Sequence, residues 1–205
     1  MKLEVCVDNK QDLLAAVQAG ADQIELCAAL DQDGLTPDDD LLSFAFEQVR
    51  VPLKPMLRHR AGDFVYTQEE QKMLLTQLDY LMRFPFKSVV FGALTPAGEI
   101  DRACLELILE KLDGRYLCFH KAIDYTSDII AACETLKPYE QVREILSSGG
   151  CCTAEEGKEI LKEMQQVLRH DQALIAAGKV RPENLNDLHQ YLGLDYYHGR
   201  KIIDF

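Results

Sequence analysis

Two short runs, LEVCVD at 3–8 and QIELCA at 23–28, each thread a glutamate and a cysteine between aliphatic residues. Side chains alternate across a β-strand. Leu3, Val5 and Val7 therefore share one side of the first run, and Glu4 and Cys6 the other. Ile24 and Leu26 divide in the same way from Glu25 and Cys27. Burying an unpaired carboxylate costs several kcal/mol, so a strand side that carries both Glu and Cys is expected to face a cavity. Neighbouring strands run ~4.8 Å apart. Cys6 and Cys27, read as lying at matching depth, are then close enough to share one ion. Thiolates are soft donors and suit soft metal ions better than hard cations.

Other polar groups gather where later strands would end. Arg58, His59 and Arg60 precede Gly62-Asp63, and His120 and Lys121 precede Asp124. Ser147, Ser148, Gly149 and Gly150 form a small-residue turn. Guanidinium forks and free backbone N–H groups both fit oxyanions, so Arg58, Arg60 and the turn at Ser147, Ser148 and Gly149 are candidate anion binders. Glu25 and His120, with Asp124 nearby, have the side chains for general acid and base work. Lys121 has the wrong parity to point with His120 and is expected to face outward. Glu4, Glu25 and Lys54 sit one layer deeper, where they can neutralise one another.

Plainer readings stand beside these. Glu25 is otherwise a structural partner of Arg58 or Lys54. Cys104 and Cys133 lie on apolar helix stripes and read as core. Cys118 shares the inward parity of His120 and fits core or site equally. Cys151-Cys152 reads as a turn of small residues before a helix. His59, His170 and His189 read as surface or loop residues, and His198 fits either reading.

These residues need elements to position them. Strand-like runs fall at 2–7, 23–27, 51–57, 88–92, 116–120, 142–147, 173–177 and 194–198. Helical stretches lie between them. Thr36-Pro37 reads as a cap before a proline in the first turn. Asp38, Asp39 and Asp40 place acid at a helix N-terminus. Thr67 with Glu70, and Thr153 with Glu156, have capping-box spacing. Leu74, Leu75, Leu78, Leu81 and Met82 form an apolar stripe at helical period. Alternating strands and helices imply parallel strands with right-handed crossovers. Eight of them predict a (β/α)8 TIM barrel over 1–205 as a single domain, shorter than the usual ~250 residues. Only seven residues follow His198, so the eighth helix is expected to be short or missing. An open doubly wound sheet is the alternative, but no G-x-G-x-x-G follows a strand.

Composition narrows the partners. The net charge is −12, which argues against nucleic acid and anionic membrane surfaces. No apolar run approaches the ~20 residues of a membrane span, and the N-terminus lacks a signal-peptide pattern. A cytoplasmic location is expected. Seven cysteines, odd in number and irregularly spaced, do not read as a disulfide framework, and no C-x-x-C pair is present.

The sequence resembles the CutC copper-homeostasis family. The likeness rests on LEVCVDN, AGADQIELCAAL followed by DGLTPD, RHRAGDFVYT, FHKAID, LSSGG and VRPENL, in family order over nearly the whole chain. The resemblance implies a (β/α)8 barrel, a cytoplasmic location, self-association and a link to copper as Cu(I). The family's best-placed cysteines match Cys6 and Cys27. Its mouth residues match Glu25, Arg58, Arg60, Asp63, His120 and Asp124. The chain departs from the pattern at Lys121, where arginine is usual, at the shorter turn AAGKV, and in GRKIIDF after His198. Two functions follow as expectations. One is a Cu(I)-binding protein; the other is an enzyme acting on a small anionic metabolite through Glu25 and His120. A missing eighth helix would leave Leu3 and Val5 uncovered. Ile202, Ile203 and Phe205 are expected to fold over them, or a second subunit to cover them, most simply in a dimer.

Overall fold

Each strand of this chain is followed by a stretch of helical period, and such strands pair in parallel because the crossover returns each to the same end. The computed structural model describes residues 1–205. Its strands are β1 (Lys2–Val7), β2 (Gln23–Leu26), β3 (Leu53–Pro55), β4 (Ser88–Phe91), β5 (Tyr116–Phe119), β6 (Val142–Ser147), β7 (Ala173–Ala176) and β8 (Tyr196–His198). Between them lie α1 (Lys10–Gln18), α2 (Asp39–Gln48), α3 (Gln68–Leu81), α4 (Arg102–Lys111), α5 (Ile129–Leu136), α6 (Lys158–Val167) and α7 (Pro182–Leu192). The spatial order is β3-β2-β1-β8-β7-β6-β5-β4. A bridge between Met56 and Val90, with the Leu57 N–H donating to the Val90 carbonyl at 2.8 Å, joins the two ends into a barrel. The (β/α)8 expectation holds, and the open sheet is excluded.

Strand limits differ in detail. β2, β4, β5 and β7 each end one residue before the expected limit, and β8 begins at Tyr196 instead of residue 194. β3 is cut most, to three residues. Pro52 and Pro55 lack the N–H a ladder needs. Between β5 and β6 the register shifts, so that Leu117 pairs with Val142 but Cys118 with Glu144. This bulge at Arg143 turns Val142 to the outer core while Glu144 and Leu146 face inward.

The capping box of α3 is present, with Thr67 and Glu70 bonding reciprocally, and Leu74, Leu78 and Leu81 are buried beneath it. The expected cap at Thr36-Pro37 is corrected. Asp38 caps α2 by accepting the Leu41 N–H at 2.9 Å. Thr36 Oγ1 is spent on the Arg58 backbone and Gln77. Thr153 and Glu156 bond as a capping box, at 3.1 Å each way, but they close a turn ahead of α6, which starts at Lys158.

Outer strand faces and helices share one large apolar cluster. The barrel interior differs. Cys27, Met56, Val90, Cys118, Leu146, Ile175 and Ala177 pack together there, and Glu4 and Lys54 are buried with them. Residues 199–205 form turns and bends without a helix. Ile202 is buried and Ile203 packs partly against the core, as expected, while Phe205 stays 48% exposed.

Candidate functional site at the barrel mouth

A cavity of about 230 Å³ opens at the C-terminal ends of the strands, where barrel enzymes of this architecture carry their sites. Cys6, Glu25, Met56, Arg58, His120 and His198 line it from β1, β2, β3, β5 and β8 and the segments just after them. Glu4, Cys6 and Glu25 all face inward, as the strand alternation predicts.

The carboxylates have different roles. Glu4 is fully buried, with Lys54 Nζ at 2.5 Å and His198 Nδ1 at 2.8 Å, and Gln23 donates to it as well. Burial alone would raise its pKa, but Lys54 and then His198 outweigh this and hold it ionised, well below the usual carboxylate range. Lys54 also reaches Glu144 at 3.0 Å. The expected neutralisation within Glu4, Glu25 and Lys54 thus excludes Glu25 and recruits Glu144. Glu25 accepts only the Cys27 thiol, at 3.4 Å, and its Oε2 has no partner. The structural reading of Glu25 as a partner of Arg58 or Lys54 is not realised. Burial raises the Glu25 pKa, with His198 opposing it. Burial would lower the His198 pKa, but Cys6, Glu25 and Glu4 nearby drive it well up.

His120 directly follows β5 and is buried. Its Nδ1 accepts the Ala122 N–H at 3.2 Å, so Nε2 carries the proton of the neutral ring. That Nε2 has no partner. Burial, reinforced by the Arg58 charge, pushes its pKa down to about 3. With Nδ1 engaged, His120 presents its Nε2–H as a hydrogen-bond donor. Phe64 packs on its ring at 4.9 Å. Gly92 lies behind it, where a Cβ would come within 2.6 Å of Nδ1.

Arg58 is buried and clamped. Its Nη1 donates to the carbonyls of Gln32, Asp33 and Gly34, and its Nη2 to Gly62 at 2.8 Å. Only Nε is left without a partner. Arg60 lies away from the cavity. It bonds Glu70 at 2.5 Å and Asp63 at 2.9 Å beside the start of α3. The turn after β6 is likewise filled from within. Asp124 accepts from Ser147 Oγ at 2.5 Å, Ser148 Oγ at 2.8 Å, and the N–H groups of Ser148 and Gly150 at 3.0 Å each. The site expected to hold an external anion holds this carboxylate, so Asp124 is not free for acid–base work either. Lys121 is corrected too. The chain leaves the strand at Phe119, so parity lapses and Lys121 sits on the rim, 3.6 Å from Asp124.

The two cysteines are not at matching depth. Cys6 stands opposite Glu25, and Cys27 lies just beyond β2, its N–H donating to the Val7 carbonyl at 2.9 Å. Gly34 roofs Cys27: a Cβ there would come within 3.1 Å of the sulfur and 3.7 Å of Met56 Cε. Cys6 and Met56 line the cavity, and Cys27 and Met56 share one apolar cluster. Met56 is thus common to both settings, lining the cavity with Cys6 and packing with Cys27, and sulfur donors of this kind suit soft metal ions. Burial, with Glu25 adjacent, drives the Cys27 thiol well up; a bound metal would deprotonate it. A second set is harder in character: ligand atoms of Glu4, Glu25 and His198 lie within 4.8 Å of one another. Lys54 already supplies positive charge beside Glu4 there.

Sequence reading missed Met56, Phe64, Tyr125 and Arg200 as lining residues. Met56 shares the parity of Lys54, so alternation along β3 carried a signal for it. The others come from loops. A larger cavity, about 730 Å³, opens at the opposite end of the barrel. Its charges mostly satisfy each other, through Lys54 with Glu144 and Arg143 with Asp171. Of the six buried side-chain atoms without partners, Glu25 Oε2, Arg58 Nε and His120 Nε2 belong to residues that line the mouth. The larger cavity has only Arg143 Nε.

The family model described as CutC family matches residues 1–203. The chain belongs to the CutC family. A copper homeostasis protein cutC homolog from Caenorhabditis elegans is 34% identical over 97% of this chain and 80% of its own length. A family protein CutC from Glaesserella parasuis is 36% identical over 92% of this chain and 77% of its own. The crystal structure of CutC from Streptococcus agalactiae superposes with a TM-score of 0.92 at 25% identity, covering 98% of this chain and 99% of that one. That CutC barrel has nearly the same extent as this one.

Proposed function

We propose that this CutC chain handles copper as Cu(I) at the barrel mouth, with Cys6 and Cys27 as thiol donors. The observation that carries this reading is the sulfur-rich wall: Cys6 and Met56 line the cavity, and Cys27 packs with Met56 under Gly34. Soft sulfur donors favour Cu(I) over hard divalent ions, and the Caenorhabditis elegans relative is named a copper homeostasis protein. Competition against a Cu(I)-specific chelator tests it. The parent chain should take up one Cu(I), and Cys6→Ser with Cys27→Ser should abolish that uptake.

We further propose a cytoplasmic location and a dimer. Free thiols suit a reducing compartment, and no helix is long and apolar enough to cross a membrane. Leu14 on α1 and Phe205 in the tail are exposed apolar side chains of the kind a second subunit covers. Light scattering should give a dimer, and a monomer contradicts this.

The sulfur donors leave much of the mouth unexplained, because arginine and carboxylate do nothing for Cu(I). Glu25 Oε2, Arg58 Nε and His120 Nε2 are buried and lack partners, and their residues line one cavity. Those three atoms favour a second reading, action on a small anionic metabolite, with Glu25 the proton-transferring group and His120 a neutral donor to developing negative charge.

A further inference from the structure

Buried polar atoms without partners are few in folded proteins, and each asks for an occupant. Three of them belong to Glu25, Arg58 and His120, residues that line the mouth, and their hydrogen-bonding roles are set. Arg58 Nε can only donate. His120 Nε2 also donates, because Nδ1 is engaged as acceptor by the Ala122 N–H. Glu25 Oε2 can pair with a hydroxyl in either protonation state, since a hydroxyl both gives and accepts.

The two donors are held rigidly. Four backbone carbonyls anchor the remaining nitrogens of the Arg58 guanidinium. Phe64 packs against both groups, 4.8 Å from the Arg58 guanidinium carbon and 4.9 Å from the His120 ring. Donors fixed in advance lose little freedom on binding. At the rim stand Lys121 and Arg200, whose charges draw an anion toward the opening. The cavity, at about 230 Å³, lies below the roughly 300–1,000 Å³ of ordinary ligand pockets. It takes a molecule of a few carbons. Phosphate is disfavoured, because Asp124 already fills the oxyanion turn after β6.

Resting on the second reading above, we propose that the mouth binds a short hydroxycarboxylate, its carboxylate accepting from Arg58 Nε and His120 Nε2 and its hydroxyl paired with Glu25 Oε2. The hydroxyl is the discriminating group, because a plain carboxylate of the same length leaves Glu25 unpaired.

Calorimetric titration of the full chain with L-lactate, D-glycerate, propionate and inorganic phosphate tests this. The hydroxy acids should bind about tenfold tighter than propionate, the worth of one good hydrogen bond. Glu25→Met keeps the side-chain volume and removes both oxygens. It should erase that difference, so that lactate and glycerate bind no tighter than propionate. The comparison of lactate with propionate needs no variant and stands even if Glu25→Met fails to fold. Equal binding of lactate and propionate overturns the proposal while leaving an anion site in place. Binding of phosphate alone overturns it in the same way. No binding of any of the four overturns both this proposal and the reading beneath it.

Discussion

Asp124 illustrates how a residue type can be right and its role different. As a carboxylate after β5 it reads as an acid or base, and Ser147, Ser148 and Gly149 read as an anion cradle. The cradle exists, and Asp124 is the anion in it. Spacing showed both partners but not that they belong to each other, since 23 residues separate Asp124 from Ser147. Arg60 departs for the same reason: Glu70, ten residues on, claims it. Glu25, Cys6 and His120 were legible because strand alternation alone aims them. Asp124→Ala should leave two serine hydroxyls and two N–H groups without their acceptor. It should lower stability by about 1–3 kcal/mol and give the turn a new affinity for inorganic phosphate. Denaturant titration and calorimetry measure both effects. A variant of unchanged stability that ignores phosphate would show that the cradle is not what these bonds describe.

At the scale of elements, period carried most of the information. The apolar spacing of α3 and α4 marked their buried stripes, and the Thr67–Glu70 box marked a true helix start. Two kinds of feature were hidden. Loop side chains such as Phe64 follow no period. The bulge at Arg143 also breaks the parity of β6, so Val142 and Glu144 face opposite sides despite their spacing. That bulge aims Glu144 at Lys54, and the chain Glu4–Lys54–Glu144 links β1, β3 and β6 through the barrel interior. Removing one member of a buried ion pair strands the other, at about 3–5 kcal/mol. Lys54→Met should cost that much in urea denaturation, and adding Glu4→Gln should recover most of it. A loss below about 1 kcal/mol for Lys54→Met would mean that His198 and Gln23 suffice for Glu4.

For the whole molecule, eight strand runs with helices between them were enough to call for a closed barrel, and the aliphatic sides of β1 and β2 told inside from outside. After β8 the chain turns back so that Ile202 is buried in the core. What the sequence could not reveal is how the mouth divides its chemistry. Cys6 and Met56 line it beside Arg58 and His120, and Cys27 packs in one apolar cluster with Met56, in a protein of net charge −12. Depth was the missing quantity, because strand register depends on partners distant in the chain. The copper claim rests on two of seven cysteines, so the discriminating measurement is Cu(I) stoichiometry and affinity by chelator competition across three proteins. The parent and the Cys151→Ser, Cys152→Ser variant should each bind one Cu(I) equally tightly, and the Cys6→Ser, Cys27→Ser variant none. Full binding by the last protein, or its loss on changing the exposed Cys151-Cys152 pair, would contradict a copper site at the barrel mouth.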